Sequence, residues 1–332
     1  MQILQSLDRF ALAARRLPGK RWAAYSLVSL SRATRSMCRT FHVLFVLGAL
    51  GFVASLASAE QPFGNGLLTE LLDRGVRIGD ESVPLHAPKA SPELSEEKLS
   101  LAQQSLAGSR GWQSFIRDSV VAPVHIELEY ITDQEGRRIG IRSHFAFVVH
   151  TDVARLRDDR SMRELFEGAA EASNKEGFRS EAIDPHQLVD LGIEADDNAS
   201  FGWLETILLN KVMVSGVLRS ERFDNGDYDA IAWKLDERFT GREPPHPRYR
   251  NQWRELRRDE LGRKILGPAV PYAGAAGYLF VSPVEGVDGT SLIEAEIVLH
   301  EPQGWFSGSN LLRSKLPLMI QESARKLRRA LR

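Results

Sequence analysis

Residues Ser291–Leu331 read SLIEAEIVLHEPQGWFSGSNLLRSKLPLMIQESARKLRRAL, and this stretch decides the fold. Residues 291–300 alternate between apolar and polar, which predicts a β-strand with one face against a core. After the turn Glu301–Gly304, apolar residues recur every three or four positions, as on one buried face of a helix. They are Leu312, Leu316, Met319, Ile320, Ala324, Leu327 and Leu331. The stretch therefore predicts a closing strand and a C-terminal helix, with a kink or a start near residue 315 because of Pro317.

Three segments in the C-terminal part of the chain resemble a known family. They are Gly304-Trp-Phe-Ser-Gly-Ser-Asn-Leu-Leu312 continuing to Lys326-Leu-Arg-Arg-Ala-Leu331, Gly277-Tyr-Leu-Phe-Val281, and Gly289-Thr-Ser-Leu-Ile293. Together they resemble the last hairpin, strand and gripping helix of START domains and of the wider helix-grip (SRPBCC) superfamily, as a divergent, bacterial-type exported member. The resemblance implies an α+β, helix-grip fold, in which a curved antiparallel β-sheet is wrapped around a long C-terminal α-helix.

The N-terminal region is typical of an exported protein. The apolar run 42–56 has about the length of a signal-peptide core, and Ala57-Ser-Ala59 is a small-x-small cleavage site. We expect residues 1–59 to be a leader and signal peptide, cleavage after Ala59, and a secreted or periplasmic mature protein. Translation from Met37 would give a compact signal peptide by itself. The alternatives are an uncleaved anchor or a buried helix.

Charge and cysteine content exclude several functions. Without residues 1–59, the chain has 35 basic and 43 acidic residues, a net charge of −8, which argues against a nucleic-acid partner. The single cysteine, Cys38, lies in the leader. The predicted mature chain therefore has no disulfide, no zinc–thiolate site and no cysteine nucleophile.

The remaining chain divides into two parts by composition. Residues 60–111 are predicted to be an N-terminal extension or linker with short helices, packed loosely or partly disordered, and residues 112–332 a START-like domain. Within it, two alternating runs, 124–130 and 139–151, predict a hairpin, and Asn225-Gly226 predicts another. Residues 152–172 have helical spacing, residues 178–197 look irregular, and the apolar run 204–223 is expected to break at Gly216.

Catalytic and metal motifs are absent from the sequence. There is no HExxH or HxH pair, no Gly-x-Ser-x-Gly elbow and no phosphate-binding loop, so we expect no metal, no cofactor and no catalytic residues. Polar-face histidines could still converge across neighbouring strands into a metal or acid–base site. A polar sheet face in water is the favoured interpretation. These histidines are His125, His144, His150 and His300.

A ligand cavity between sheet and helix is the function that the resemblance implies. The expected ligand-binding residues are Phe145, Phe147, Arg219, Trp233, Tyr278, Phe280, Leu316 and Ile320, where Arg219 would meet a carboxylate or phosphate. The leading hypothesis is an exported, non-catalytic domain that binds a hydrophobic or lipid-like small molecule, with transient contact to a membrane as a further partner. The alternatives are an enzyme of polyketide cyclase type with an acid–base His or Glu, and a cavity-free envelope or interaction protein with a filled core.

Overall fold

The computed structural model describes residues 66–91, 93–157, 179–194, 199–241 and 246–332. The predicted signal peptide, its cleavage site and most of the predicted helix 152–172 lie outside these residues. Among the described helices, none combines the length and the apolar character that a membrane crossing requires.

Helices and strands follow one another in a mixed order along the chain. The described helices are α1 (Leu67–Asp73), α2 (Glu96–Ser105), α3 (Trp112–Phe115), α4 (Val153–Arg157), α5 (Pro185–Asp190) and α6 (Leu311–Ala330). The described strands are β1 (Val76–Ile78), β2 (Glu81–Val83), β3 (His125–Thr132), β4 (Arg138–Val149), β5 (Arg179–Ile183), β6 (Ala199–Leu208), β7 (Val212–Asp224), β8 (Asp229–Leu235), β9 (Gln252–Arg258), β10 (Lys264–Leu266), β11 (Val270–Pro271), β12 (Ala275–Pro283) and β13 (Ser291–His300).

Strands β3 to β13 form one antiparallel sheet within the described part of the chain. Its main order is β10-β9-β7-β8-β12-β13-β4-β3; β6 pairs with the other edge of β7, β5 pairs with β6, and β11 pairs with β9. Both predicted hairpins, β3–β4 and β7–β8, are confirmed. The long helix α6 packs its apolar side on one face of the sheet, which confirms an α+β arrangement of antiparallel sheet and C-terminal helix.

Each face of the sheet has its own cover. The face that packs on α6, called the inner face, includes Phe145, Ile297 and Trp233. On the opposite, outer face, α1, β1 and β2 pack against β8, β12 and β13, while α2 and α3 pack near the ends of β4 and β13. Leu67, Leu68 and Leu71 of α1 are fully buried. Residues 66–111 are therefore packed on the outer face, and the expectation of a loose or disordered extension is wrong for the part described.

Strand β7 changes neighbours on one edge at Gly216. Residues 218–224 pair with β8 and residues 212–215 pair with β9. At the gap, the fully buried Asn251 accepts a hydrogen bond from the Val217 amide (2.8 Å) and donates to the Asp236 carbonyl (2.7 Å). A Cβ at position 216 would lie 2.7 Å from Asn251 Oδ1, so glycine leaves the room that this side chain needs.

Three local predictions need correction. The apolar run 204–223 breaks at Leu209 and Asn210, which both have positive φ as in a primed hairpin turn, whereas Gly216 stays inside β7. The stretch expected to be irregular, 178–197, contains β5 and α5, whose start is capped by Asp184 with Pro at the first turn. Helix α6 begins at Leu311 and includes Pro317, so the later start is also wrong.

Candidate ligand site

Five of the predicted ligand-binding residues belong to the buried cluster between α6 and the sheet. Phe145 and Phe147 of β4 and Trp233 of β8 belong to the same buried cluster as Leu316 and Ile320 of α6. Strand alternation places the three aromatic rings on the inner face, and the helical spacing of Leu316 and Ile320 turns both toward it. These side chains form an apolar layer between helix and sheet, which is the environment that a hydrophobic ligand requires. Their role in binding stays a prediction.

The other three predicted residues lie on the opposite side of the sheet. Tyr278 and Phe280 pack with α1 in the outer-face cluster. Arg219 forms ion pairs with Glu221 (2.5 Å) and Glu70 (3.6 Å), and Glu70 also belongs to α1. The eight residues therefore cannot line one cavity. The parity of β12 explains this, because Tyr278 is the cross-strand neighbour of Glu296, which also faces outward.

Arg219 borders a concave site of about 520 Å³ on this outer side. Four acidic and three basic side chains line it, together with Phe201. Lys234 Nζ lies 2.5 Å from Glu70 Oε1, so this site already carries internal ion pairs. A net-charged ligand would have to displace these ion pairs. Because the lining is mostly charged, the site is also a weaker candidate for an apolar molecule than the layer beneath α6.

An aromatic cluster closes the inner layer where β13 leads into α6. The Tyr272 ring stacks on Trp305, with centroids 5.4 Å apart and planes within 9°, and Trp253 and Phe306 meet Trp305 edge-on at 5.9 and 5.7 Å. Phe306 has a φ of 52°, which is costly for an aromatic residue. Strain of this kind persists where the surrounding packing holds it and is frequent at ligand sites. The sequence showed the aromatic residues, but not that they meet.

Three polar atoms near this cluster are buried without a hydrogen-bond partner among the described residues. They are the indole Nε1 atoms of Trp253 and Trp305, and Nδ1 of His300, whose ring stacks on Tyr272 at 5.8 Å. A buried indole N–H usually donates to an acceptor, and each exception requires an explanation.

The protonation states of the neighbouring groups favour a neutral site. Burial lowers the pKa of His300 below its ordinary value. Burial, together with the charge of Glu301, raises the pKa of Tyr272 well above its ordinary range. The Tyr272 hydroxyl therefore keeps its proton and donates to the His300 carbonyl at 3.1 Å. The aromatic cluster thus adds indole and phenol donors but no net charge.

The outer face of β13 holds a buried polar network where the sequence indicated a solvent-exposed face. Glu294 and Glu296 are fully buried, and they accept hydrogen bonds from the amides of Lys89, Ala90 and His86. His144 is buried as well and bonds Glu294 at 2.8 Å. The interpretation of these groups as a polar face in water is wrong for His144, whereas His150 is exposed.

Comparisons with known proteins give distant structural likenesses. No protein-family model and no curated protein matches the chain. The similar solved structures include the human StarD13 (DLC2) lipid transfer and protein localization domain, with 7% identity, TM-score 0.37, and coverage of 62% of this chain and 84% of that chain. Human STARD10 has 12% identity, TM-score 0.33, and coverage of 71% and 84%. The protein TTHA0849 from Thermus thermophilus has 12% identity, TM-score 0.29, and coverage of 57% and 93%.

These neighbours include START domains. TM-scores this low do not decide the fold family or the ligand of this chain. The described residues form an antiparallel sheet with a C-terminal helix across its inner face. The apolar layer between them ends in an aromatic cluster that contains unpartnered donors.

Proposed function

We propose that this protein is an exported, non-catalytic, START-like domain that binds a hydrophobic or lipid-like small molecule between the inner face of its sheet and α6. The observation that carries the proposal is the pair of buried, unpartnered indole donors of Trp253 and Trp305 next to the apolar cluster between α6 and the sheet. A site that is mostly apolar with a few placed polar groups is the usual form of a small-molecule site.

The site predicts the shape of its ligand. The apolar layer under Leu316 and Ile320 suits a hydrocarbon body, and the two indole donors suit an acceptor oxygen at one end, as in an ester, carboxylate or phosphate. An apolar body that buries about 300 Å² would gain roughly 7.5 kcal/mol, at about 25 cal/mol per Å², before ordering costs. Each hydrogen bond would add specificity for the polar end.

Replacing Trp305 with Phe tests this site, because an aromatic ring stays and the donor is lost. We expect wild-type protein incubated with a lipid extract to carry bound lipid in native mass spectrometry, and W305F to bind about tenfold more weakly, the value of one good hydrogen bond. The matched control is W203F, whose indole Nε1 is also buried and unpartnered but lies in a different cluster. No bound lipid on the wild type, or equal losses in both variants, would contradict the proposal.

Exchange of a hydrophobic ligand requires contact with a lipid surface, and we propose the β9–β10 hairpin for it. Leu261 at its tip is 77% exposed, and Ile265, Leu266 and Val270 beside it are also exposed. Residues 252–266 contain five basic and three acidic residues, although the whole chain has a net charge of −1. Exposed apolar side chains among cations suit a membrane surface with anionic lipids.

Substituting Leu261 with Asp should weaken this contact. We expect L261D to lose at least about tenfold in binding to vesicles with anionic phospholipid in a sedimentation assay, since an exposed apolar anchor becomes a repelled charge. L101D is the matched control, because Leu101 is 61% exposed on α2, away from the hairpin. Equal binding of L261D and L101D would show that the hairpin does not anchor the protein.

A further inference from the structure

Three side chains on the outer face of the β3–β4 hairpin converge although no motif in the sequence joins them. His125 and Glu127 are two positions apart and therefore lie on the same side of β3. Glu127 lies directly across from His144 of β4. One nitrogen from each histidine and one Glu127 oxygen lie within 4.8 Å of one another. A search by spacing along the chain finds no metal motif here, because the third member comes from the neighbouring strand.

The separations suit a small tetrahedral cation. His125 Nε2 lies 2.9 Å from Glu127 Oε1, and His144 Nδ1 lies 3.7 Å from Glu127 Oε2. Around a zinc ion with bonds of about 2.0–2.1 Å, tetrahedral ligand atoms are about 3.4 Å apart. The two observed distances lie on either side of this value, and they end on the two different oxygens of Glu127. With one oxygen and one nitrogen from each histidine within 4.8 Å of one another, rotation of the carboxylate and the imidazoles would direct three ligand atoms at one ion.

His144 is prepared as a ligand by its second nitrogen. The side chain is 7% exposed, its Nε2 bonds the fully buried Glu294 at 2.8 Å, and its Nδ1 has no hydrogen-bond partner among the described residues. Glu294 is held by the backbone amides of Lys89 and Ala90. A carboxylate that bonds one ring nitrogen and leaves the other free for the ion is the usual outer support of a metal-binding histidine.

We propose that His125, Glu127 and His144 form a binding site for a divalent transition-metal ion, with Zn²⁺ as the best match. Two imidazole nitrogens and one carboxylate are donors that zinc prefers, and three protein ligands leave a fourth position for water or an anion. The Lys89 ammonium, 3.3 Å from Glu127 Oε2 and 42% exposed, neutralises the carboxylate in the metal-free protein and moves into solvent when the ion binds.

Zinc titration of the full chain, stripped of metal with a chelator, tests the site. We expect H125A and E127Q each to lose at least about 100-fold in Zn²⁺ affinity in competition with a chromophoric chelator, and H186A, which removes an exposed histidine elsewhere, to bind like the wild type. Co²⁺ bound to the wild type should show the visible absorption of tetrahedral coordination. No Zn²⁺ binding by the wild type, or unchanged affinity in H125A and E127Q, would overturn the assignment.

Lys89 provides a test that does not depend on the folding of the ligand variants. Removing its positive charge with K89M should tighten Zn²⁺ binding by about fivefold or more, because the ion no longer has to displace the Lys89 ammonium from the Glu127 carboxylate. K98M, on α2, is the control for loss of a lysine elsewhere. Unchanged or weaker Zn²⁺ binding by K89M would contradict the site.

Discussion

Replacing Glu294 with Ala will lower the free energy of unfolding by about 3–5 kcal/mol, because two buried donors and one part-buried donor lose their acceptor. Glu294 is fully buried and accepts from Lys89 N at 2.7 Å, Ala90 N at 3.0 Å and His144 Nε2 at 2.8 Å. E294Q should cost about 1–3 kcal/mol. The glutamine oxygen can still accept, but its NH₂ group faces at least one of the three N–H donors, and that hydrogen bond is lost. Urea unfolding followed by circular dichroism measures both values.

The same substitution should act locally on the segment that crosses the outer face. In E294A we expect faster hydrogen exchange at the amides of Lys89 and Ala90, which are bonded to the Glu294 carboxyl group. E135Q is the matched control, because Glu135 lies in the β3–β4 turn with a side chain 66% exposed, and surface ion pairs contribute at most about 1 kcal/mol. An E294A protein as stable as E135Q would show that the segment does not depend on this contact.

Replacing Arg328 with Met should remove the strongest polar attachment of α6 to the sheet, at a cost of about 3–5 kcal/mol. Arg328 is 6% exposed and donates to the carbonyls of Val148 (2.9 Å), Ala122 (2.6 Å) and Pro123 (3.2 Å). Val148 lies beyond the point where β3 stops pairing with β4, so the guanidinium takes the place of a strand neighbour. Burial, with the nearby charge of Arg325, lowers the pKa of Arg328 to about 10.

A lysine at this position distinguishes geometry from charge. R328K keeps a cation but cannot reproduce the planar fork that reaches three carbonyls, so we expect a loss of about 1–3 kcal/mol, between wild type and R328M. The neighbouring Arg329 is exposed, and R329M should change the free energy of unfolding by less than about 0.5 kcal/mol. If R328M and R329M unfold at the same urea concentration, the helix is held by its apolar face alone.

The elements with a strong local signal were predictable from sequence. The alternation in β3, β4 and β13, the Asn225-Gly226 turn and the apolar stripe of α6 each depend on neighbours a few positions away. The turn at Leu209 and Asn210 was missed because only the asparagine hints at the left-handed backbone that both residues adopt. Its flanking apolar run also resembled one continuous strand.

The outer face was not predictable, because its cover comes from a distant part of the chain. Glu294 and Glu296 alternate with apolar residues, a pattern that normally indicates a solvent-exposed side. Besides side-chain partners such as His144, they bond backbone amides of residues 86–90, 204 to 210 positions earlier, which any sequence could supply. Backbone donors leave no mark on the composition, so no inspection of the sequence would have paired them with these carboxyl groups.

The candidate ligand residues show the same division. Phe145, Phe147 and Trp233 lie on the inner side because of the alternation within their own strands, and the structure places them in one buried cluster. Tyr278 and Phe280 were added for their aromatic character, without the register that places Tyr278 beside Glu296 on the outer side. Register also joins His144 to Glu127, which is why the proposed zinc site follows from the structure alone.

Photo-crosslinking with a diazirine fatty acid tests the central claim most directly, because it reports which side chains surround a bound apolar molecule. We expect labelled peptides to map to the inner-face strands β4 and β13 and to α6 around Leu316 and Ile320, and unlabelled fatty acid to suppress the labelling. Labelling confined to the exposed β9–β10 hairpin, or to the outer-face segment 66–111, would contradict a ligand between sheet and helix.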